Sequence, residues 1–296
     1  MCKLHYPFFV IKQSAACYNI NIEMTTTDKR ISILGCGWYG LALAKKLLAD
    51  GYAVKGSTTT EAKIITLQEL GISPYLVSFE EQEESFDPAF FDCSVLIICI
   101  PPKRSTAEQH TFLYKIERIA QASGTLKVPQ VIFISSTSVY GDKNEPVTEI
   151  TAAVPDTASG RAILSAEELL RQSTVFTTTI LRFGGLIGPQ RNPGRFFAGK
   201  KDIANGRAPV NLIHLSDCIG LTLKIIERRA YGSIYNACST EHPTRAKFYT
   251  QAALTSGLEK PEFIDELLSW KLVTSINIPA LLEYSFRYSI NNLVLQ

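Results

Sequence analysis

The sequence predicts an α/β protein, a doubly wound parallel sheet with a smaller C-terminal lobe. Three observations carry that expectation. Short apolar runs alternate with amphipathic segments long enough to be helices, the first run ends in a glycine-rich turn, and the alternation breaks after Gly188. Strands separated by helices of that length pair in parallel through right-handed crossovers.

Taken in order, residues 30–34 (RISIL) form a short apolar run that ends in glycine, as a buried strand does. Residues 39–50 place Leu41, Leu43, Ala44, Leu47 and Leu48 at helical spacing, and Gly51 closes the helix. Residues 53–57 are predicted as the second strand, 61–70 as the second helix and 75–78 as the third strand. The run 94–100 is a fourth strand, stopped by Pro101 and Pro102. Helices over 106–123 and 162–172 and strands over 131–135 and 177–182 complete the alternation. Beyond Gly188 the segment 189–195 has loop composition. Residues 216–228 form a helix capped by Ser216 or Asp217. The expected division is a loose extension over 1–28, a dinucleotide-binding domain over 29–188, and a substrate lobe over 189–296 interleaved with the last elements of the sheet.

Composition narrows the function. The chain has 296 residues, 46% hydrophobic, with 30 basic against 28 acidic side chains and a net charge of +2. That balance gives no electrostatic footprint for nucleic acid or an anionic membrane. No apolar run reaches the ~18 residues a transmembrane helix needs. The seven cysteines form no CxxC pair, and the four histidines lack ligand spacing, so a reduced, metal-free cytoplasmic protein is expected. The apolar stretch at 6–11 is too short for the centre of a signal peptide. Met24, just before the first strand, is the expected effective start.

Gly35-Cys36-Gly37-Trp38-Tyr39-Gly40 is a GxGxxG segment between a strand and a helix. In that context Gly35 allows the tight turn, Gly37 lets a pyrophosphate approach the backbone, and Gly40 lets the helix pack on the strand. The helix N-terminus, from Trp38 and Tyr39 onward, then offers free N–H groups to phosphate. A carboxylate about 20 residues on would grip the ribose of NAD. Here Ser57, Thr58 and Thr59 stand at that place, with Lys63 one turn into the next helix. Hydroxyls and a lysine suit the 2′-phosphate of NADP, although the threonines also suit a helix cap; NADP is favoured over NAD.

The segment Ser135-Ser136-Thr137-Ser138-Val139-Tyr140-Gly141-Asp142 follows the fifth strand, at the carboxyl edge where ligands of such sheets bind. Together with the glycine loop, residues 181–189 (LRFGGLIGP), 211–217 (NLIHLSD) and 235–237 (YNA), it resembles the extended short-chain dehydrogenase/reductase family, also called the NAD-dependent epimerase/dehydratase family. The similarity spans about residues 30–240 and implies a Rossmann-type fold and a nicotinamide dinucleotide. It also implies that Ser136 orients a substrate hydroxyl or carbonyl. The positions of the family's tyrosine–lysine acid/base pair fall here on Ser159 and Ile163, a pattern that resembles the family's atypical branch. The glycine spacing agrees, because extended members usually carry GxxGxxG and Leu34 fills the first of those places.

The candidate site residues follow. Ser136 and Tyr140 are the remaining candidate proton donors or substrate-orienting groups, each with an alternative role in ending the strand or packing. Pro101 and Pro102 make a rigid loop beside the expected nicotinamide position, and Lys103 or Arg104 could meet a phosphate or carboxylate. Arg191 and Arg195 could grip an anionic substrate with two hydrogen bonds. His214 is a candidate substrate ligand or a structural histidine. Two functions compete: an oxidoreductase or epimerase acting on a small polar, sugar-like or anionic substrate, and a non-catalytic dinucleotide-binding sensor or docking protein.

Overall fold

A computed structural model describes residues 29–81, 84–102 and 108–292. The proposed extension over 1–28 with its start at Met24, and the cations Lys103 and Arg104, lie outside the described residues.

Seven strands make the central sheet: β1 (Arg30–Leu34), β2 (Ala53–Thr58), β3 (Ser73–Leu76), β4 (Val95–Ile98), β5 (Gln130–Ser136), β6 (Thr177–Phe183) and β7 (Ile234–Ala237). Their spatial order is β3-β2-β1-β4-β5-β6-β7, and every pairing is parallel. The chain runs outward from β1 in one direction, then returns to build the other half. This creates a switch point between β1 and β4, where ligands of doubly wound sheets bind.

Side-chain alternation explains why both faces are covered. In β4, Val95 and Ile97 join one apolar cluster and Leu96 and Ile98 join the other. A strand buried on both faces needs helices above and below it. Helices α1 (Trp38–Ala49), α2 (Ala62–Glu69) and α5 (Leu215–Arg228) cover the first face through Leu43, Leu47, Leu67, Leu221 and Ile225. Helices α3 (Glu108–Thr125) and α4 (Ala158–Arg171) cover the second through Ile116, Ile119, Ala166 and Leu170. Because α5 and β7 come from beyond Gly188, the sheet draws on both sides of the expected domain boundary. The remaining lobe packs α6 (Arg245–Thr255) on a small core that includes Ile187, Leu212, Phe248 and Ile290.

Three local expectations need correction. The third strand is Ser73–Leu76 rather than 75–78, and Ser78–Phe79 pairs instead with Glu84–Ser85 in an antiparallel ladder. Pro74 misleads because proline usually ends a strand, but β3 is an edge strand and tolerates it. Helix α4 starts at Ala158, one turn before 162, because the Thr157 hydroxyl accepts the Gly160 N–H at 3.0 Å. Neither Ser216 nor Asp217 caps α5. The cap is His214, whose Nδ1 accepts the Ser216 N–H at 3.2 Å. Asp217 instead accepts from the Tyr284 hydroxyl and the Arg287 N–H, both at 2.8 Å, and from the Tyr288 N–H at 3.1 Å, pinning the C-terminal segment to the sheet domain.

The described cysteines Cys36, Cys93, Cys99, Cys218 and Cys238 are free thiols. No helix among the described residues is long and apolar enough to cross a membrane.

Candidate functional site

The glycine loop stands at the carboxyl end of β1, at the switch point. Gly35 has φ +101°, a conformation that favours glycine. A Cβ on Gly40 would lie 2.3 Å from the Gly35 carbonyl oxygen, so α1 reaches the strand this closely only without a side chain there. Gly37 differs from both. Among the described residues nothing lies within 4 Å of a Cβ built on it, so its face is open to a ligand. Strand β2 holds the loop: the Ser57 hydroxyl accepts the Gly35 N–H at 2.8 Å, and the Ser57 carbonyl accepts the Cys36 N–H at 3.1 Å. No side chain caps α1, and its first turn holds no acidic residue. Its N-terminal dipole is therefore uncompensated. Burial pushes the Cys36 thiol up to about 11, so it stays neutral beside this positive end.

Two cavities flank the loop and share Gly35, Gly37, Ile100, Pro101 and Phe112. The first, about 530 Å³, is lined by Thr58, Thr59, Lys63, Val77, Phe79 and Lys115 among others. Lys115 is paired with Glu80 at 2.5 Å, whereas Lys63 has no carboxylate partner among the described residues. The Thr58 hydroxyl accepts the Thr60 N–H at 3.0 Å, so it also shapes the turn into α2. The second cavity, about 380 Å³, runs from Trp38, Tyr39 and Gly40 past Pro101 and Pro102 to Ser135 and Ser136. Phe133, Ile163, Phe183 and Leu186 give it apolar walls, and Arg191 stands on its rim.

The structure thus brings together Gly35 through Gly40, Ser57 through Thr59, Lys63, Pro101, Pro102, Ser136 and Arg191. Ser136 Oγ accepts the Ser138 N–H at 3.1 Å, and its own proton has no acceptor among the described residues, leaving it a donor to the cavity. Tyr39 is 7% exposed and its hydroxyl shares a hydrogen bond of 2.6 Å with Thr222, so it bounds the cavity with its ring rather than its oxygen.

Tyr140, Arg195 and His214 are placed elsewhere. Tyr140 is 2% exposed and lines neither cavity. Its hydroxyl donates to the Thr148 carbonyl or Asn236 Oδ1, at 2.9 and 3.0 Å, and accepts from Arg182 at 2.6 Å. Burial first of all raises its pKa, and Arg182 opposes the rise. Arg195 is exposed at the end of the 3₁₀ turn Pro193–Arg195 and also lines neither cavity. His214 caps α5 and stacks on Tyr288 with 3.9 Å between ring centroids; burial lowers its pKa, which suits a neutral imidazole accepting at Nδ1.

Two features went unseen in the sequence. One is a buried ion pair behind the cavity wall: Arg182 donates to both Glu167 oxygens, at 2.9 and 2.6 Å, and Ser135 donates to the same carboxylate. The other is contact between the glycine loop and the turn after Gly188. The Arg191 guanidinium lies over the Trp38 ring, 4.5 Å from its centroid, and Trp38 Nε1 donates to the Pro189 carbonyl at 2.7 Å. Neither pairing has a local sequence pattern, because the partners are far apart in the chain.

A glycine loop with one open glycine, an uncapped helix and paired cavities at the switch point fit a protein that binds a nicotinamide dinucleotide. A model for the NAD(P)H-binding family matches residues 35–213, and the chain belongs to that family. It is 39% identical over 247 residues to Protein YeeZ of Escherichia coli (strain K12), covering 82% of this chain and 89% of that protein. It is 23% identical over 295 residues to a decarboxylating sterol-4-alpha-carboxylate 3-dehydrogenase of Dictyostelium discoideum, covering 87% and 89%. Among solved structures, a UDP-glucuronic acid 4-epimerase from Bacillus cereus in complex with NAD superposes with a TM-score of 0.74 at 20% identity, covering 89% of this chain and 93% of that one.

Proposed function

We propose that the protein is an NAD(P)-dependent oxidoreductase or epimerase acting in the cytoplasm on a small polar, sugar-like or anionic substrate, without the tyrosine–lysine pair of its relatives. The observation that carries this reading is the second cavity, where the glycine loop, the free Ser136 proton and a rim cation converge. The residues fit the dinucleotide: Gly37 leaves its face open and the first turn of α1 is uncapped. A bound nicotinamide supplies or accepts the hydride.

The chain's own residues then bind and orient. Ser136 donates to a substrate carbonyl, or holds a hydroxyl, within reach of the nicotinamide half of the cleft. Ile163 faces the cavity at the position the resemblance assigns to lysine, so no ammonium there lowers the pKa of a neighbouring donor. Ser159 lies outside both cavities, and the Tyr140 hydroxyl is committed to the Arg182 network. A serine hydroxyl has too high a pKa to deliver a proton unaided near neutrality. Ser136 therefore acts as an orienting donor.

The test has two stages. NADPH and NADH are titrated by calorimetry, and the loaded protein is screened with carbonyl compounds and nucleotide sugars. Ser136→Ala is expected to lower turnover about 10²-fold with little change in dinucleotide affinity, the size of a lost positioned hydrogen bond to a reacting oxygen. Unchanged turnover would remove Ser136 from the reaction. Binding without turnover on any substrate would select the non-catalytic sensor, which the apolar Ile163 position favours.

Cofactor choice follows from the first cavity. No carboxylate stands at the end of β2, and the one that lines the cavity among the described residues, Glu80, is paired with Lys115; Thr59 and Lys63 border the cavity beside β2, so NADP is the proposed preference. Lys63→Ala should weaken NADPH binding about 10-fold, roughly 1.4 kcal/mol, and leave NADH binding unchanged. Equal loss for both dinucleotides, or none, would contradict that role.

A further inference from the structure

The turn Gly188–Arg191 is built in an unusual way. The Arg191 N–H donates to the Gly188 carbonyl at 2.9 Å, closing a four-residue turn with Pro189 second and Gln190 third. Gln190 has φ +64°, a left-handed conformation that such a turn normally gives to glycine. The strained turn is held from outside, because Trp38 Nε1 donates to the Pro189 carbonyl at 2.7 Å. Its product is a fixed direction for Arg191, whose guanidinium lies over the Trp38 indole, 4.5 Å from the ring centroid, on the rim of the second cavity. Among the described residues Arg191 has no carboxylate partner. A guanidinium stacked on an aromatic ring keeps its edge donors free, and that edge matches the paired oxygens of a phosphate or carboxylate. Trp38 is also the first residue of α1, so the same indole belongs to the glycine loop.

We propose that this turn is an anion clamp, in which Arg191 takes a phosphate or carboxylate group at the mouth of the second cavity and Trp38 holds the clamp in register with the glycine loop. The anionic group comes either from the dinucleotide's pyrophosphate or from the acid group of the substrate. The assignment deepens the proposed function, since it names the substrate-side chemistry of the same cleft, but the turn and its stacking stand without it. Strain at Gln190 then has a purpose: it aims one cation at a place where the uncapped α1 N-terminus already favours negative charge.

The chain has two tryptophans, Trp38 and Trp270, so a Trp270→Phe background makes Trp38 the reporter. In that background the full chain is titrated with NADPH, and separately with inorganic phosphate and with malonate, in the dinucleotide-free and the NADPH-loaded protein. Trp38 emission and calorimetry are both read. Arg191→Met keeps the stem of the side chain and removes the fork; Arg191→Lys keeps the charge alone. If the clamp holds the pyrophosphate, Arg191→Met weakens NADPH binding at least 10-fold and Arg191→Lys recovers only part of it. If it holds the substrate's acid group, NADPH binding stays within twofold. Phosphate and malonate binding, with the accompanying change in Trp38 emission, are then lost in Arg191→Met. Thermal melting of the variants controls for folding. Anion and NADPH affinities both within twofold of the parent would overturn the clamp. A parent that binds phosphate through Arg191 but no dinucleotide would overturn the proposed function and leave the clamp standing.

Discussion

Replacing Arg182 by methionine is expected to destabilise the protein by about 3–5 kcal/mol, the usual effect of leaving one member of a buried ion pair alone. The side chains of Arg182 and Glu167 are only 4% and 2% exposed. Burial works against the charge of Arg182, and the Glu167 carboxylate and the Tyr140 hydroxyl more than offset it, holding its pKa above the ordinary value. Without the guanidinium, Glu167 keeps only the Ser135 hydroxyl, and Tyr140 loses one of its three partners. The variant carboxylate would then favour its protonated form. The folded state would bind more protons than the unfolded one, so the variant gains stability as pH falls. Glu167→Gln with Arg182→Met should cost less than the sum of the two single changes. Urea unfolding at two pH values reads all of this. A loss under about 1 kcal/mol for Arg182→Met would mean that the network is not what holds the cavity wall.

The second large effect separates binding from folding within one loop. Gly37 has φ −83°, which any residue can adopt, and a Cβ there meets nothing within 4 Å among the described residues. Gly37→Val should therefore fold normally, with a melting temperature within about 2 °C of the parent. The added methyl groups would occupy the space through which a pyrophosphate reaches the α1 N–H groups. Dinucleotide affinity should fall at least about 100-fold, roughly 2.7 kcal/mol. Gly40→Val is the contrast, because its Cβ would overlap the Gly35 carbonyl at 2.3 Å and something in the backbone must move. That variant should lose both stability and binding. Calorimetry with NADPH, paired with melting curves, distinguishes them. Parent-like affinity in Gly37→Val would remove the phosphates from the loop.

Much of this was legible in the sequence because it is local. A strand, three glycines and a helix sit side by side in the chain, so β1, the loop and α1 can be read together, and Ser136 follows directly from its place at the end of β5. The α/β alternation gives the sheet because every crossover is long enough for a helix. What escaped is non-local. Tyr140 looked available until Arg182 and Asn236 arrived from β6 and β7 to take its hydroxyl. Asp217 suited a cap by position, yet its oxygens serve Tyr284, Arg287 and Tyr288 from the far end of the chain. Arg191 and Arg195 are equivalent as letters. Only the turn through Pro189 and Gln190 puts the first on the cavity rim and leaves the second facing solvent.

A crystal structure of the protein grown with NADPH would show whether the cleft between the glycine loop and Ser136 holds a nicotinamide dinucleotide. The pyrophosphate is expected over Gly37 at the start of α1, the adenosine half in the cavity bordered by Thr59 and Lys63, and the nicotinamide between Ile163 and Ser136. An empty cleft at millimolar NADPH, or a dinucleotide bound away from the glycine loop, would contradict that expectation.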